Sequence, residues 1–481
     1  MKLAFAEVGA TRRVARCSAY PQHGRAGGSS LPAILFSTII LMALAINAHS
    51  ANELLATDFT VTVGQKIVPA HPAKVVAADP AQRFKAMSDP NPATFASFDL
   101  RGRAEVCVTC PETVREAKIL PSASGIVPKV EGKRVRFTLG RPQHLTLEIN
   151  GNWLSSLHLF ANPPETDVPR ADDPNVMFYS PGVHEVDSVR VPSGKTVYIA
   201  EGAVVRATTK SGAPRGSAFL LEGSNITLRG RGIIDGSLCP HRSRHLVSVR
   251  GTNIVVEGVI LLDSSVWAVP IRRSENVTIK NLKLIGYRAN SDGIDICNSR
   301  NVEVANCFIR TWDDLVVVKT DKGQGEARHI TVHDCVLWNE VAHALSIGAE
   351  LRENVDDVVF RDCDVIHDKG REWTLRVFHC DSARISNVRF ENIRIEETRK
   401  FISLWINKAV WTRDAERGHI ANITFKNIRA TGDNPRIEFK GFDAEHAVTG
   451  VTCENVVING QPLTPDQIKR NDFVRDVRVT P

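Results

Sequence analysis

The sequence predicts an all-β protein, a parallel β-helix preceded by a small antiparallel β-sandwich. Three observations predict it. From about residue 220 one phrase recurs every 23 to 35 residues. Each copy is two short, mostly alternating apolar runs with Asn, Gly or Asp between them. Long stretches with the 3.6-residue period of a helix are absent.

The first 50 residues read as an export signal. Arg12, Arg13, Arg16 and Arg25 precede the apolar run "LPAILFSTIILMALAINA", 31–48, and Ala48 and Ser50 have the small side chains a signal peptidase needs. An uncleaved membrane anchor is the alternative, since 18 residues is near the lower limit for a span. Most of the formal charge of +6 lies in this segment. The remainder has 55 basic and 53 acidic residues, with no basic stripe to suggest nucleic acid.

Residues 51–165 lack the repeat. "DFTVTVG", "FASFDL", "AEVCVT", "KRVRFTL" and "HLTLEING" are short alternating strands between turns, as in a β-sandwich. "NPPETDVPRADDPN", 162–175, is rich in Pro and Asp and reads as a linker. The β-helix is expected over 166–481, with 178–207 as its first coils.

The repeat runs from "SNITLRGRGIIDG" to "TGVTCENVVINGQ". Its first apolar residue falls at Ile226, Ile254, Val277, Val302, Ile330, Val358, Val388, Ile423 and Val451. Short strands at this period indicate a solenoid. No Leu-x-x-Leu-x-Leu frame is present, which leaves one β-helical coil per repeat, stacked on the last to bury an inner face. Ten cysteines in an exported chain permit disulfides without demanding them. "CVTC", Cys107 and Cys110, has no second pair to complete a zinc site. Cys297, Cys307, Cys335 and Cys363 fall in apolar strand patterns and read as buried thiols.

Between phrases, a set of polar residues recurs at similar offsets. Trp267, Asp292, the pair Asp313–Asp314, His343 and Arg376 precede or sit in the strand after the phrase in five successive coils. They should form a column on one side, with coils about 4.8 Å apart. Singly, each residue has a plain structural reading: Asp292-Gly293 is a turn dipeptide, a lone His is a satisfied polar group, and a lone Trp is packing. Together they suit glycosidic hydrolysis. One carboxylic acid protonates the leaving oxygen, and a carboxylate activates water across a gap of roughly 6.5–9.5 Å if the anomeric centre is inverted. Clustered carboxylates raise one another's proton affinity, keeping one protonated near neutral pH. Trp267 and Trp312 offer faces for a sugar, and Lys319, closing "DDLVVVK", is assigned with them to substrate binding.

"NSDGIDI", "DDLVVVK", "HALSIG" and "LRV", in that order and spacing, resemble the motif series of the polygalacturonase-like enzymes, glycoside hydrolase family 28, over roughly 180–460. "LDSSVWAVPI" resembles the strand before that active site. The resemblance implies a right-handed, pectin-lyase-like β-helix that inverts configuration without a metal or other cofactor. It also implies Asp313 as general acid, Asp292 and Asp314 as the carboxylates that activate water, His343 as support for the acid, and Arg376 as a substrate-binding residue. Two departures stand out. Phe378 occupies the place of the family's galacturonate-binding lysine, which favours a neutral sugar or another binding mode. "HAL" replaces Gly-His-Gly. The N-terminal region and "PGVHEVDSVRVPSGKTVYIAEGAVV" also resemble the dextranase and isopullulanase group, family 49.

The expectation is therefore a secreted or periplasmic, monomeric hydrolase acting on a polysaccharide or oligosaccharide. No nucleic acid partner is expected, nor lasting membrane association. Two other functions compete: a β-helical polyuronate lyase or epimerase, which would want Ca²⁺ or a basic residue at the centre, and a non-catalytic carbohydrate-binding β-helix. Fold alone does not separate them.

Overall fold

The sandwich strands run between Thr60 and Asn162, and the β-helix strands begin at Val176. The computed structural model describes residues 58–85 and 88–481. The expected export segment lies outside the described residues. Two five-stranded sheets make the sandwich. The first, containing Thr60–Val63, Ala104–Thr109 and Arg134–Leu139, is antiparallel. The second is antiparallel except for Asn91–Asp99, which runs parallel to Asn152–Asn162. Val61, Val106 and Val135 meet Leu145, Leu147 and Leu159 between the sheets. The other face of the second sheet is also covered. Phe95, Leu120 and Phe160 pack on Ile233, Ile260, Phe308 and Trp338 of the β-helix. Burial on both faces explains why "HLTLEI" alternates in sequence yet is buried at every position.

Sandwich and β-helix pack as one unit. The segment joining them is bonded along the helix wall rather than free. Arg231 donates to the Pro163 carbonyl (2.8 Å) and Tyr198 to Glu165 (2.8 Å).

The β-helix is a single parallel ladder of strands wound into coils, each with three strand columns. The two runs of the repeated phrase supply two columns. The third column, carrying Val269–Arg272, Ile294–Cys297, Val316–Thr320, Leu345–Leu351 and Leu375–His379, follows the phrase. All nine first apolar residues stack in register, from Ile226 on Ile254 to Ile423 on Val451. They fill a continuous core with the other inward Val, Ile, Leu and Phe residues. Rightward winding follows from the right-handed preference of parallel crossovers.

The asparagines of the phrase have a backbone reason. Asn225, Asn253, Asn276 and Asn301 each precede the first apolar residue and hold φ of 54–57°. Asparagine tolerates that left-handed turn better than most residues. The side-chain amides of Asn253, Asn276 and Asn301 each donate to the Asn one coil back, at 3.1 Å. Nine free thiols are present among the described residues, all buried except Cys107, which is half-buried. Cys307, Cys335 and Cys363 each point their thiol at the carbonyl two residues earlier, at 3.2–3.3 Å.

Candidate active site

The turn leading into the third column is stacked as strictly as the strands. Ala268 N–H donates to the Asp292 carbonyl (2.8 Å), Gly293 to Asp314 (2.8 Å), Leu315 to His343 (2.9 Å) and Ala344 to Thr374 (3.1 Å). Val269, Ile294, Val316, Leu345 and Leu375 pair in register just after these turns. Counting back two residues from each places Trp267, Asp292, Asp314, His343 and Trp373 in one column, one per coil. Asp313 projects from the position before Asp314. Gly293 is required here. A Cβ on it would sit 2.4 Å from the Leu315 carbonyl, so only glycine lets the Asp292 turn settle on the next coil.

The three carboxylates of Asp292, Asp313 and Asp314 each place an oxygen within 4.8 Å of the others. Asp292 and Asp314 are buried and Asp313 is partly exposed. Burial raises the proton affinity of all three. Asp314 is pushed up to about 7 by burial and then by the Asp313 charge. Asp292 goes well above the carboxylate range through burial, opposed by Lys319 and reinforced by the neighbouring acids. Asp313 is also raised by burial, with Lys319 opposing. The spacing and donor set are such that a divalent cation could reach the trio. Lys319 already supplies a positive charge there, with Nζ 3.0 Å from Asp292 Oδ2 and 2.8 Å from Asp295 Oδ1.

His343 donates from Nδ1 to the Trp373 carbonyl (2.7 Å), which leaves Nε2 as acceptor. Arg376 donates to that Nε2. Burial and the Arg376 charge hold the imidazole neutral, well below its usual pKa. His343 Nε2 stands 4.0 Å from Asp314 Oδ1. In this geometry His343 orients Arg376 beside the acids.

The column opens into a cleft of about 490 Å³, bounded by Trp267 at one end and Phe378, Trp405 and Trp411 at the other. Asp292, Asp313, Asp314, His343, Arg376 and Trp267 all line it, as their offsets predict. Trp312 and Lys319 line it too, but both are buried with partners other than those expected. Trp312 packs among Val76, Ala289 and Val341, and its Nε1 donates to the Arg83 carbonyl of the sandwich (3.0 Å). It is a support, not an open sugar face. Lys319 is engaged by Asp292 and Asp295, with Nζ 4.0 Å from the centre of the Trp267 ring, so it grips the acids rather than substrate. Behind Trp312, Arg83 donates to Glu340 (2.9 and 2.7 Å), which also accepts from Arg310 (2.8 Å).

Three participants escape the motif reading. Asp295 is visible as a charge in strand phase with the outward positions, between inward Ile294 and Ile296. Its partnership with Lys319 depends on the register that sets Cys297 beside Lys319. Trp373 follows from extending the column by one coil. Trp405 faces the cleft because it stacks on Phe378.

Residues 185–474 match glycosyl hydrolases family 28, and the chain belongs to that family. An exopolygalacturonase of Zea mays is 26% identical over 49% of this chain and 62% of its own length. An endo-polygalacturonase of Pectobacterium carotovorum subsp. carotovorum is 29% identical over 27% of this chain and 38% of its own. The chain thus spans less than two thirds of these relatives. Among solved structures, an exopolygalacturonase from Thermotoga maritima shares the fold with a TM-score of 0.53, at 18% identity over 63% of this chain and 84% of that one. Dex49A from Penicillium minioluteum does so with 0.64, at 13% identity over 88% of this chain and 94% of that one. The second match covers more of the chain than the β-helix alone supplies.

Proposed function

We propose that this chain hydrolyses an O-glycosidic bond in a polysaccharide of the pectin type or a related glycan. The observation that carries the reading is the stacked column Asp292–Asp314–His343 with Asp313 beside it, open to one cleft. Asp313, the most exposed of the trio and raised in proton affinity, protonates the leaving oxygen. Asp292 and Asp314 hold the attacking water. A water making two hydrogen bonds of 2.8 Å at a tetrahedral angle needs acceptors roughly 4.5 Å apart, which suits oxygens within 4.8 Å. Arg376, held by His343, contacts the sugar.

Inversion is part of the proposal, with direct attack by a carboxylate and retained configuration as its alternative. The anomer first released, read by proton NMR, decides between them. We also infer export, from the apolar run at 31–48. No helix among the described residues is long and apolar enough to cross a membrane.

The test is reducing-sugar release from polygalacturonate, rhamnogalacturonan, xylogalacturonan, dextran and pullulan, with Asp313→Asn as control. Release that vanishes in the variant supports hydrolysis. Release that persists in it, or a product absorbing in the near ultraviolet from an unsaturated sugar, overturns it.

A further inference from the structure

The end of the cleft beyond His343 is built differently from the acid column. Phe378 and Trp405 are cross-strand neighbours on the outward face of adjacent coils. Their ring centroids are 6.4 Å apart and their planes 85° apart. Trp373 meets Trp405 at 6.0 Å. Trp411, half exposed, completes the wall. Phe378, Trp405 and Trp411 thus face the space next to the carboxylates, with the buried Trp373 behind Trp405.

The charges there are set against an anion. Five carboxylates line the cleft, the trio together with Glu350 and Glu372. Three cations line it, and each is partnered. Lys319 pairs with Asp292 and Asp295. Arg376 donates to His343 and is flanked by Asp314. Arg371 lies 3.6 Å from Glu372. Lys400, Lys440 and Arg436 approach the Trp373 and Trp405 rings without lining the cleft. Lys440 is bonded to Glu438 (3.0 Å), and Lys400 lies 3.9 Å from Glu372. A uronate carboxylate entering here loses its hydration and meets five carboxylates against three cations, of which only Arg376 is not ion-paired to a carboxylate. An uncharged pyranose loses little and gains contact between its C–H faces and the aromatic rings.

We propose that the wall formed by Trp373, Phe378, Trp405 and Trp411 is a subsite for an uncharged sugar residue. The inference rests on the hydrolytic reading for its place beside the scissile bond, but it can fail separately. Phe378 and Trp405 set the specificity. Phe378 lies beside Arg376, whose guanidinium carbon is 4.9 Å from its ring centre, and Trp405 backs it from the next coil.

The test uses two polymers that differ in one group, polygalacturonate and the same polymer after carboxyl reduction, with dextran and pullulan as further uncharged ligands. Binding is measured by tryptophan fluorescence on full-length Asp313→Asn, so that turnover does not intervene. We expect at least one uncharged ligand to bind ten-fold or more tighter than the free acid, with little dependence on salt. Trp405→Ala should weaken that binding ten-fold or more, and Phe378→Lys should move preference toward the free acid. Tighter binding of the free acid, no binding of any uncharged ligand, or unchanged binding in Trp405→Ala overturns the subsite. Binding as expected, with no bond cleaved by the native chain, leaves the subsite standing and removes the hydrolytic reading.

Discussion

The ammonium of Lys319 lies 3.0 Å from the carboxylate of Asp292, which projects from the preceding coil. Burial by itself would lower the lysine's proton affinity. Asp292, Asp295 and Asp314 more than offset this, so Lys319 stays charged well above its usual pKa. Its charge in turn opposes the burial that drives Asp292 toward the protonated form. Lys319→Met removes that opposition, and Asp292 then ionises at still higher pH. If ionised Asp292 is needed to activate water, the rising limb of the kcat/KM profile moves to higher pH. Activity at pH 6 should fall by about 10² or more, in line with loss of a general base. Lys319→Arg should recover part of it. An unmoved limb in Lys319→Met would show that the pair is only structural.

Asp314 makes the opposite trade between stability and function. Its folded pKa of about 7 lies above the usual 3.8, with burial as the main cause. A group raised in this way stabilises the fold below its unfolded pKa, and that contribution is lost as pH rises through the folded value. Asp314→Asn carries no such penalty. Its Tm should match the native protein's near pH 4 and exceed it increasingly up to pH 8, by at most roughly 4 kcal/mol of stability at 1.36 kcal/mol per pKa unit. Turnover should fall in the same variant. Thermal melts at four pH values check the first half, and a reducing-sugar assay the second.

The sandwich reaches the site through Arg83. Its guanidinium is paired with fully buried Glu340, and its carbonyl accepts from Trp312. Arg83→Ala leaves Glu340 still paired with Arg310, so the loss is that of a buried charged hydrogen bond, about 1.5–3 kcal/mol. Arg83→Ala should therefore lower Tm; it keeps the carbonyl that Trp312 bonds but frees its segment from Glu340, and should raise KM by shifting Trp312, the residue before Asp313. The sandwich then acts on catalysis without touching substrate. A Tm loss with unchanged KM would confine Arg83 to stability.

The asparagine ladder offers a control remote from the cleft. Asn276 holds φ of 55° and bonds the side chain of Asn253. Asn276→Ala loses that hydrogen bond and the one accepted from Asn301, and puts in the left-handed region a side chain without asparagine's polar group to favour it, at a cost of about 2–3 kcal/mol in all. Asn276→Gly relieves the backbone part. We expect the order native, Gly, Ala in Tm, with kcat/KM unchanged.

Much of this was legible in the chain. The nine first apolar residues, read from "SNITLRG" through "TGVTCEN", pair one above another because a solenoid turns sequence period directly into register. Asp292, Asp314 and His343 could be placed on successive coils for the same reason. The pairing of Lys319 with Asp292 and Asp295 was not legible because its side-chain direction depends on strand phase and on a buried acid, Asp295, that reads as an ordinary strand charge. Trp312 was misplaced because its partner, Arg83, lies 229 residues away in the sandwich. No local pattern encodes a contact of that separation.

By itself, then, the sequence determined the coil, the side on which polar residues collect and the order of the acids along the axis. These follow from periodicity, which is a local property. The tertiary structure decided which of those residues face the cleft and which are consumed by one another. Lys319 is spent on Asp292 and Asp295, Trp312 on Arg83, and Arg376 is held by His343. Such pairings depend on angstrom-scale distances between side chains on different coils and different sheets, and burial decides them. A charge withdrawn from water must find its partner inside the fold.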